Sequence, residues 1–167
     1  MEPNPSSAAA PAALAPLHGG HALRLTALPP VSQPSFELTH PYVELVYAHS
    51  LGPTAVLLAR YFGRMLTLHP GPIAICPIAL ALEVGLRSSS EDPLGHRSSL
   101  RKALDRLVHQ RVARWVDDNH LAVYVAVPAV SDRVRDRLPP AARQAHDSLV
   151  NVIDLRDGRV GRDRSMG

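Results

Sequence analysis

The stretch SSLRKALDRLVHQRVARWV, Ser98 to Val116, places two hydrophobic periods back to back with almost no linker. At about 100° per residue, Leu100, Ala103, Leu104, Leu107 and Val108 fall on one stripe of a helix. Ser98, Lys102, Arg106 and His109 fall opposite, and Asp105 is the one acidic residue close to that basic side. The period then changes to two. RVARWV and LAVYVAV alternate, with Leu121, Val123, Val125 and Val127 on one face. Between them DDNH, Asp117–His120, is rich in turn formers. The pattern predicts a helix over Ser98–Val112 delivered straight into a β-hairpin, and the rest of the chain must pack around that unit.

Upstream, PTAVLLARYFGRMLTL predicts a helix over Pro53–Leu68, with Ala55, Leu58, Ala59, Phe62 and Leu66 inward and Arg60 and Arg64 outward. Gly63 interrupts that pattern. Pro41 opens a shorter helix reaching Ala48, with Tyr42, Leu45 and Val46 on its buried face. Ile73–Cys76 reads as a short strand and Pro77–Val84 as another helix, ended by Gly85 in a left-handed conformation. Arg87–Arg97 is a polar loop, after which Ser98 or Ser99 caps the basic helix. A last helix is expected over about Pro140–Val150. Its Ala141, Ala142, Ala145 and Leu149 suit packing back onto the core or a homodimer contact.

Residues 1–35 are rich in Pro, Ala and Ser and predict a disordered tail. His18 and His21 there have no fixed scaffold, so no metal site is expected. One domain over residues 36–130, a C-terminal helical segment over 131–152 and a flexible tail over 153–167 complete the division. Aromatic residues make up 4% of the chain, so the core must be built from Leu, Val, Ala and Ile.

The net charge of +3 is modest, and its placement matters more than its size. Residues 36–95 carry 3 basic and 5 acidic groups, residues 96–130 carry 6 and 3. Positive charge therefore begins with the amphipathic helix, an arrangement suited to a polyanion. Lys102 is the only lysine against seventeen arginines, as codon bias in a high-GC genome produces. Cys76 is alone, so neither a disulfide framework nor a Cys-pair metal site is expected, and a reducing cytoplasm is the default. The N-terminal segment lacks a charged leader with an unbroken apolar core. The longest apolar run, around Ala74–Leu82, is broken by Pro77 and is too short to span a bilayer. No G-x-S-x-G, phosphate-cradling glycine loop or H-E-x-x-H occurs, so neither enzyme activity nor a cofactor is predicted. Cys76, Trp115 and Tyr124 read as packing residues.

Three segments carry a family resemblance: LGPTAVLLARYFGRML (Leu51–Leu66), PIALALEVGL (Pro77–Leu86) and SSLRKALDRLVHQRVARW (Ser98–Trp115). Over about Pro41–Val130 the chain resembles winged helix-turn-helix proteins, in particular small bacterial ones of high-GC, actinobacterial type. The resemblance implies a mainly α fold with a three-helix core and a small antiparallel β-sheet. That sheet would join Ile73–Cys76, Ala113–Val116 and Leu121–Val127, with Asp117–His120 as the tip of a hairpin wing. The linker Leu86–Arg97 departs from the family's short turn. The implied function is binding of double-stranded DNA and regulation of transcription in the bacterial cytoplasm. Helix Ser98–Val112 would enter the major groove. Ser98, Ser99, Lys102, Arg106 and His109 would face the bases, and Arg97 and Arg101 the phosphates. The acidic tip, Asp117 and Asp118, runs against that use of the wing. It leaves a second reading, a protein-interaction module within a larger regulatory or replication assembly.

Overall fold

A computed structural model describes residues 22–31, 34–87 and 92–156. In chain order the elements are β1 (Leu23–Leu28), β2 (Ser35–Glu37), α1 (Pro41–Leu45), α2 (Ala48–Leu51), α3 (Pro53–Leu68), β3 (Ile73–Ile75) and α4 (Pro77–Glu83). Then follow α5 (Ser99–His109), β4 (Ala113–Asp117), β5 (His120–Tyr124), β6 (Ala126–Pro128), α6 (Asp132–Arg135) and α7 (Pro140–Arg156).

The expected mainly α winged-helix fold with a small antiparallel sheet does not form. The chain is mixed α/β, and its four-stranded sheet has the order β3-β1-β5-β4. The difference originates in β1, LRLTAL, which lies inside the segment expected to be a disordered tail. Leu23 and Leu25 alternate inward and are fully buried, while Arg24 between them is exposed. β1 takes the place beside the hairpin where Ile73–Cys76 was expected. It pairs antiparallel with β3, Leu25 opposite Ile73, and parallel with β5, Leu25 opposite Leu121. A parallel pair cannot be closed by a hairpin and needs a long crossover. Here everything from β2 to β4 is that crossover, so the helices are threaded between two adjacent strands. His18 and His21 lie outside the described residues.

Leu121–Val127, expected as one strand, divides at Val125. The Val125 N–H donates to the Leu28 carbonyl at 2.9 Å, and its own carbonyl accepts from the Leu38 N–H at 3.2 Å. Val125 is thus the point where the chain leaves β1 and takes up β2 as the partner of β6, Phe36 opposite Val127.

The helix starts fall largely where the sequence predicts, but α1 stops at Leu45 instead of reaching Ala48, α2 follows as a separate turn, and Leu45, expected on the buried face, is exposed. Pro41, Pro53 and Pro77 open α1, α3 and α4, where a missing N–H costs nothing. Gly85, after α4, has φ 74°, a region that suits glycine. Gly63 lets α3 approach the turn after β2: a Cβ there would lie 2.8 Å from Leu38 Cβ. Alongside it runs a groove of about 500 Å³, walled by Leu38, Thr39, Leu66, Thr67 and Val125. α3 packs on α5 and α5 on β4, and Leu58 and Phe62 of α3 and Leu104 and Leu107 of α5 are fully buried in the shared core. α7 runs to Arg156, into the segment expected to be a flexible tail, and packs against α1. Its Ala142 is buried and Ala145 and Leu149 are half-buried against the core, whereas Ala141 is exposed. Among the described residues, no helix is long and apolar enough to cross a membrane.

Candidate nucleic-acid interface

α5 is built from its caps inward. Ser98 is the N-cap, with extended backbone (φ −69°, ψ 148°), and its Oγ accepts from the Arg101 N–H at 2.9 Å. The same hydroxyl donates to the Pro93 carbonyl at 2.5 Å and ties the preceding loop to the helix start. At the other end Arg111 has φ 57°, the only positive φ of a non-glycine residue among those described. The Val112 N–H reaches back to the Leu107 carbonyl (2.8 Å) and the Arg111 N–H to that of Val108 (3.0 Å). These are the two bonds of a Schellman closure, in which glycine usually holds the left-handed position. The closure turns the chain at once into β4, with Val112 and Ala113 buried. This is how the sequence changes period without a linker.

Leu100, Ala103, Leu104 and Leu107 are buried, as the stripe predicts. The opposite side presents Ser99, Lys102, Arg106 and His109 to solvent, flanked by exposed Arg97 and Arg111. Two residues of the predicted DNA-binding set are used differently. The Ser98 hydroxyl is spent on the cap. Arg101 is turned inward, its side chain only 13% exposed. Its guanidinium lies 4.2 Å from the centre of the Trp115 ring, and its Nε donates to Asp105 Oδ1 at 3.0 Å.

That arrangement also accounts for Asp105. Its Oδ1 accepts from both Arg101 Nε and Trp115 Nε1, the latter at 2.8 Å. The carboxylate within the basic face is therefore paired inside the α5–β4 unit. Among the described residues, neither Lys102 nor Arg106 is in an ion pair. The Arg101–Asp105 pair could be read from its i, i+4 spacing. The Trp115 bond could not, because it depends on how β4 folds back along the helix.

Arg106 has a second neighbour that the sequence did not reveal. Its Nη1 lies 2.8 Å from where a Cβ on Gly52 would stand, so the guanidinium rests against the α2–α3 corner. Gly52 itself has φ 75° and ψ 163°. At the hairpin tip, Asp117 and Asp118 are exposed, and Asp117 Oδ1 accepts from the Asn119 N–H at 2.9 Å. Because Trp115 stands beside Arg101, the tip two residues further on lies toward the N-terminal end of α5. Arg24 and Arg114 sit on the other face of the sheet, in register with His120 and Ala122 of the strand between them, and do not extend the α5 surface.

The fold and this surface define a mixed α/β protein with an exposed cationic helix face and an acidic turn at one end of it. Comparison with family models, curated proteins and solved structures gives no match.

Proposed function

We propose that the chain binds double-stranded DNA, with the exposed face of α5 laid into the major groove. The observation that carries this reading is the internal pairing of Asp105. It leaves Lys102 and Arg106 as unpaired cations on the exposed face of the helix, which His109 continues, with Ser99 and Arg97 at its start. A major groove admits an α-helix, and Arg or Lys can reach the acceptors of guanine or neutralise phosphates. Arg106, whose Nη1 rests against Gly52, would present the rest of its fork to a base edge or a phosphate. Arg101 serves the scaffold rather than the DNA. The acidic tip lies toward the helix start, which moves the expected contact toward Lys102, Arg106 and His109. A role in transcription regulation follows from this reading.

The test is duplex-DNA binding by fluorescence anisotropy over a salt series, for the wild type and a Lys102→Ala/Arg106→Ala double variant. Log affinity should fall linearly with log salt. The double variant should bind at least about tenfold more weakly, with a slope reduced by roughly 1–2. A folded wild type that fails to bind at low salt, or a double variant that binds equally well, overturns the reading.

The exposed Asp117 and Asp118 favour a second reading, docking of a protein partner through the tip. A stoichiometric complex lost on Asp117→Asn/Asp118→Asn, with no DNA binding, would decide for it.

A further inference from the structure

α7 is attached to the molecule through a buried polar chain. His146 is only 6% exposed and Tyr42, on α1, is fully buried. Their side chains meet, Tyr42 Oη to His146 Nδ1, at 2.7 Å. The same Oη accepts the Val130 N–H at 2.9 Å. Tyr42 stacks on Phe36 with ring centres 3.7 Å apart, so it cannot turn away easily. Its backbone is held as well: His40 Nδ1, the N-cap of α1, accepts the Tyr42 N–H at 3.1 Å.

A phenol has one hydrogen to give and two acceptor sites. Val130 fills one acceptor site. With His146 neutral and its Nδ1 bare, the Tyr42 hydroxyl donates to it and the chain is complete. An imidazolium must instead donate from Nδ1. The phenol then faces two donors, and its own hydrogen loses its acceptor. A buried unmatched donor and a buried charge are both costly.

The surroundings offer the imidazolium little compensation. On α1 the neighbours are Tyr42 and, edge-on to it, Tyr47, whose hydroxyl already donates to the Pro128 carbonyl. On α6 stand Arg135 and Asp132, and on α7 itself Asp147 and Arg143. Asp147 is gripped by both prongs of Arg135, at 2.6 Å each. Burial pushes the His146 imidazole below its ordinary value of 6.5, and Arg135 pushes the same way, against Asp147 and Asp132.

We propose that Tyr42 and His146 form an acid-sensitive latch: neutral His146 holds α7 on α1, and proton uptake by His146 releases α7 while the sheet and the α3–α5 core stay folded. α7 can leave by itself because its main packing partner is α1, whereas the strands of the sheet pair with one another, α3 packs on α5 and α5 on β4. The sign follows from the depressed histidine. Above 6.5 both folded and released states are neutral, and docking is at full strength. As the pH falls below 6.5, the released state takes up the proton first and docking weakens, until the folded value is reached.

The test is amide hydrogen exchange on the full chain at pH 7.5 and pH 5.5, corrected for the intrinsic rate. In the wild type, α7 amides should lose several-fold protection, up to about tenfold, relative to those of α3 and α5. His146→Gln, whose amide oxygen still accepts the phenol hydrogen but does not titrate, should keep α7 protection at both pH values. His40→Asn, which keeps a cap without an imidazole, should retain the acid-dependent loss. Equal α7 protection at both pH values in the wild type, or the same loss in His146→Gln, overturns the latch. Should α7 of His146→Gln be unprotected already at pH 7.5, the wild type decides by NMR: the loss must follow the His146 ring resonances, and following His40 or neither rejects it. DNA binding by α5 does not depend on this result.

Discussion

Two backbone positions set how the α5 surface is presented, and both can be tested by one substitution each. Arg111 occupies the left-handed position of the α5 closure with φ 57°. A side chain there costs about 1–2 kcal/mol that glycine does not incur. Glycine gives back part of that gain through a freer unfolded chain, roughly 0.4–1 kcal/mol. Arg111→Gly should therefore stabilise the protein by up to about 1 kcal/mol, read as a higher urea midpoint with unchanged slope. Gly52 predicts the opposite sign. Its φ 75° and ψ 163° lie in a region essentially confined to glycine, and a Cβ would meet Arg106. Gly52→Ala should cost about 1–3 kcal/mol in the same measurement. It should also weaken DNA binding where the fold survives, because Arg106 loses its seat. An Arg111→Gly variant no more stable than the wild type, or a Gly52→Ala variant as stable as it, would contradict these backbone assignments.

At the scale of elements, the basic helix and its handover into β4 were legible because they depend on local order. A stripe, a cap serine and a change of period are all properties of neighbouring residues. Strand β1 was not legible. LRLTAL shows alternation only at Leu23 and Leu25, in a stretch whose Pro and Ala content reads as tail. What makes it a strand is its position between Ile73 and Leu121, residues distant in the chain. Tertiary pairing outweighed composition. The consequence is measurable: Leu25→Ala removes a fully buried side chain from a central strand and should cost about 2–5 kcal/mol by denaturant unfolding. A loss within about 0.5 kcal/mol, as for an ordinary surface substitution, would return residues 23–28 to the tail. The same reasoning explains the site. The outward set Lys102, Arg106 and His109 follows from spacing, but the inward turn of Arg101 needed the ring of Trp115, brought alongside by the fold.

Over the whole molecule, the parts are held by interactions of different acid sensitivity. The α3–α5 layer and the sheet are held chiefly by apolar burial, which does not titrate, with the Arg101–Asp105–Trp115 contact joining α5 to β4. α7 is held to α1 through His146 and to α6 through Arg135 and Asp147. The two attachments respond in separate pH ranges. Hydrogen bonding to Arg135 is the largest influence on Asp147 and holds its carboxyl below the ordinary value of 3.8. For a carboxylate lowered on folding, the contribution is present above 3.8 and lost as the pH falls through the folded value. The His146 contribution has the same sign but begins to weaken already below 6.5. Asp147→Asn should therefore lower α7 protection at pH 7 while leaving the wild-type loss between pH 7.5 and 5.5 in place. Its difference from the wild type should shrink only below pH 3.8 and vanish once the wild-type carboxyl is protonated. The pair is only half-buried, so the whole effect should diminish in high salt. Hydrogen exchange of Asp147→Asn alongside His146→Gln separates the two attachments. Should Asp147→Asn abolish the loss near neutrality, the ion pair rather than the histidine would be the titrating attachment.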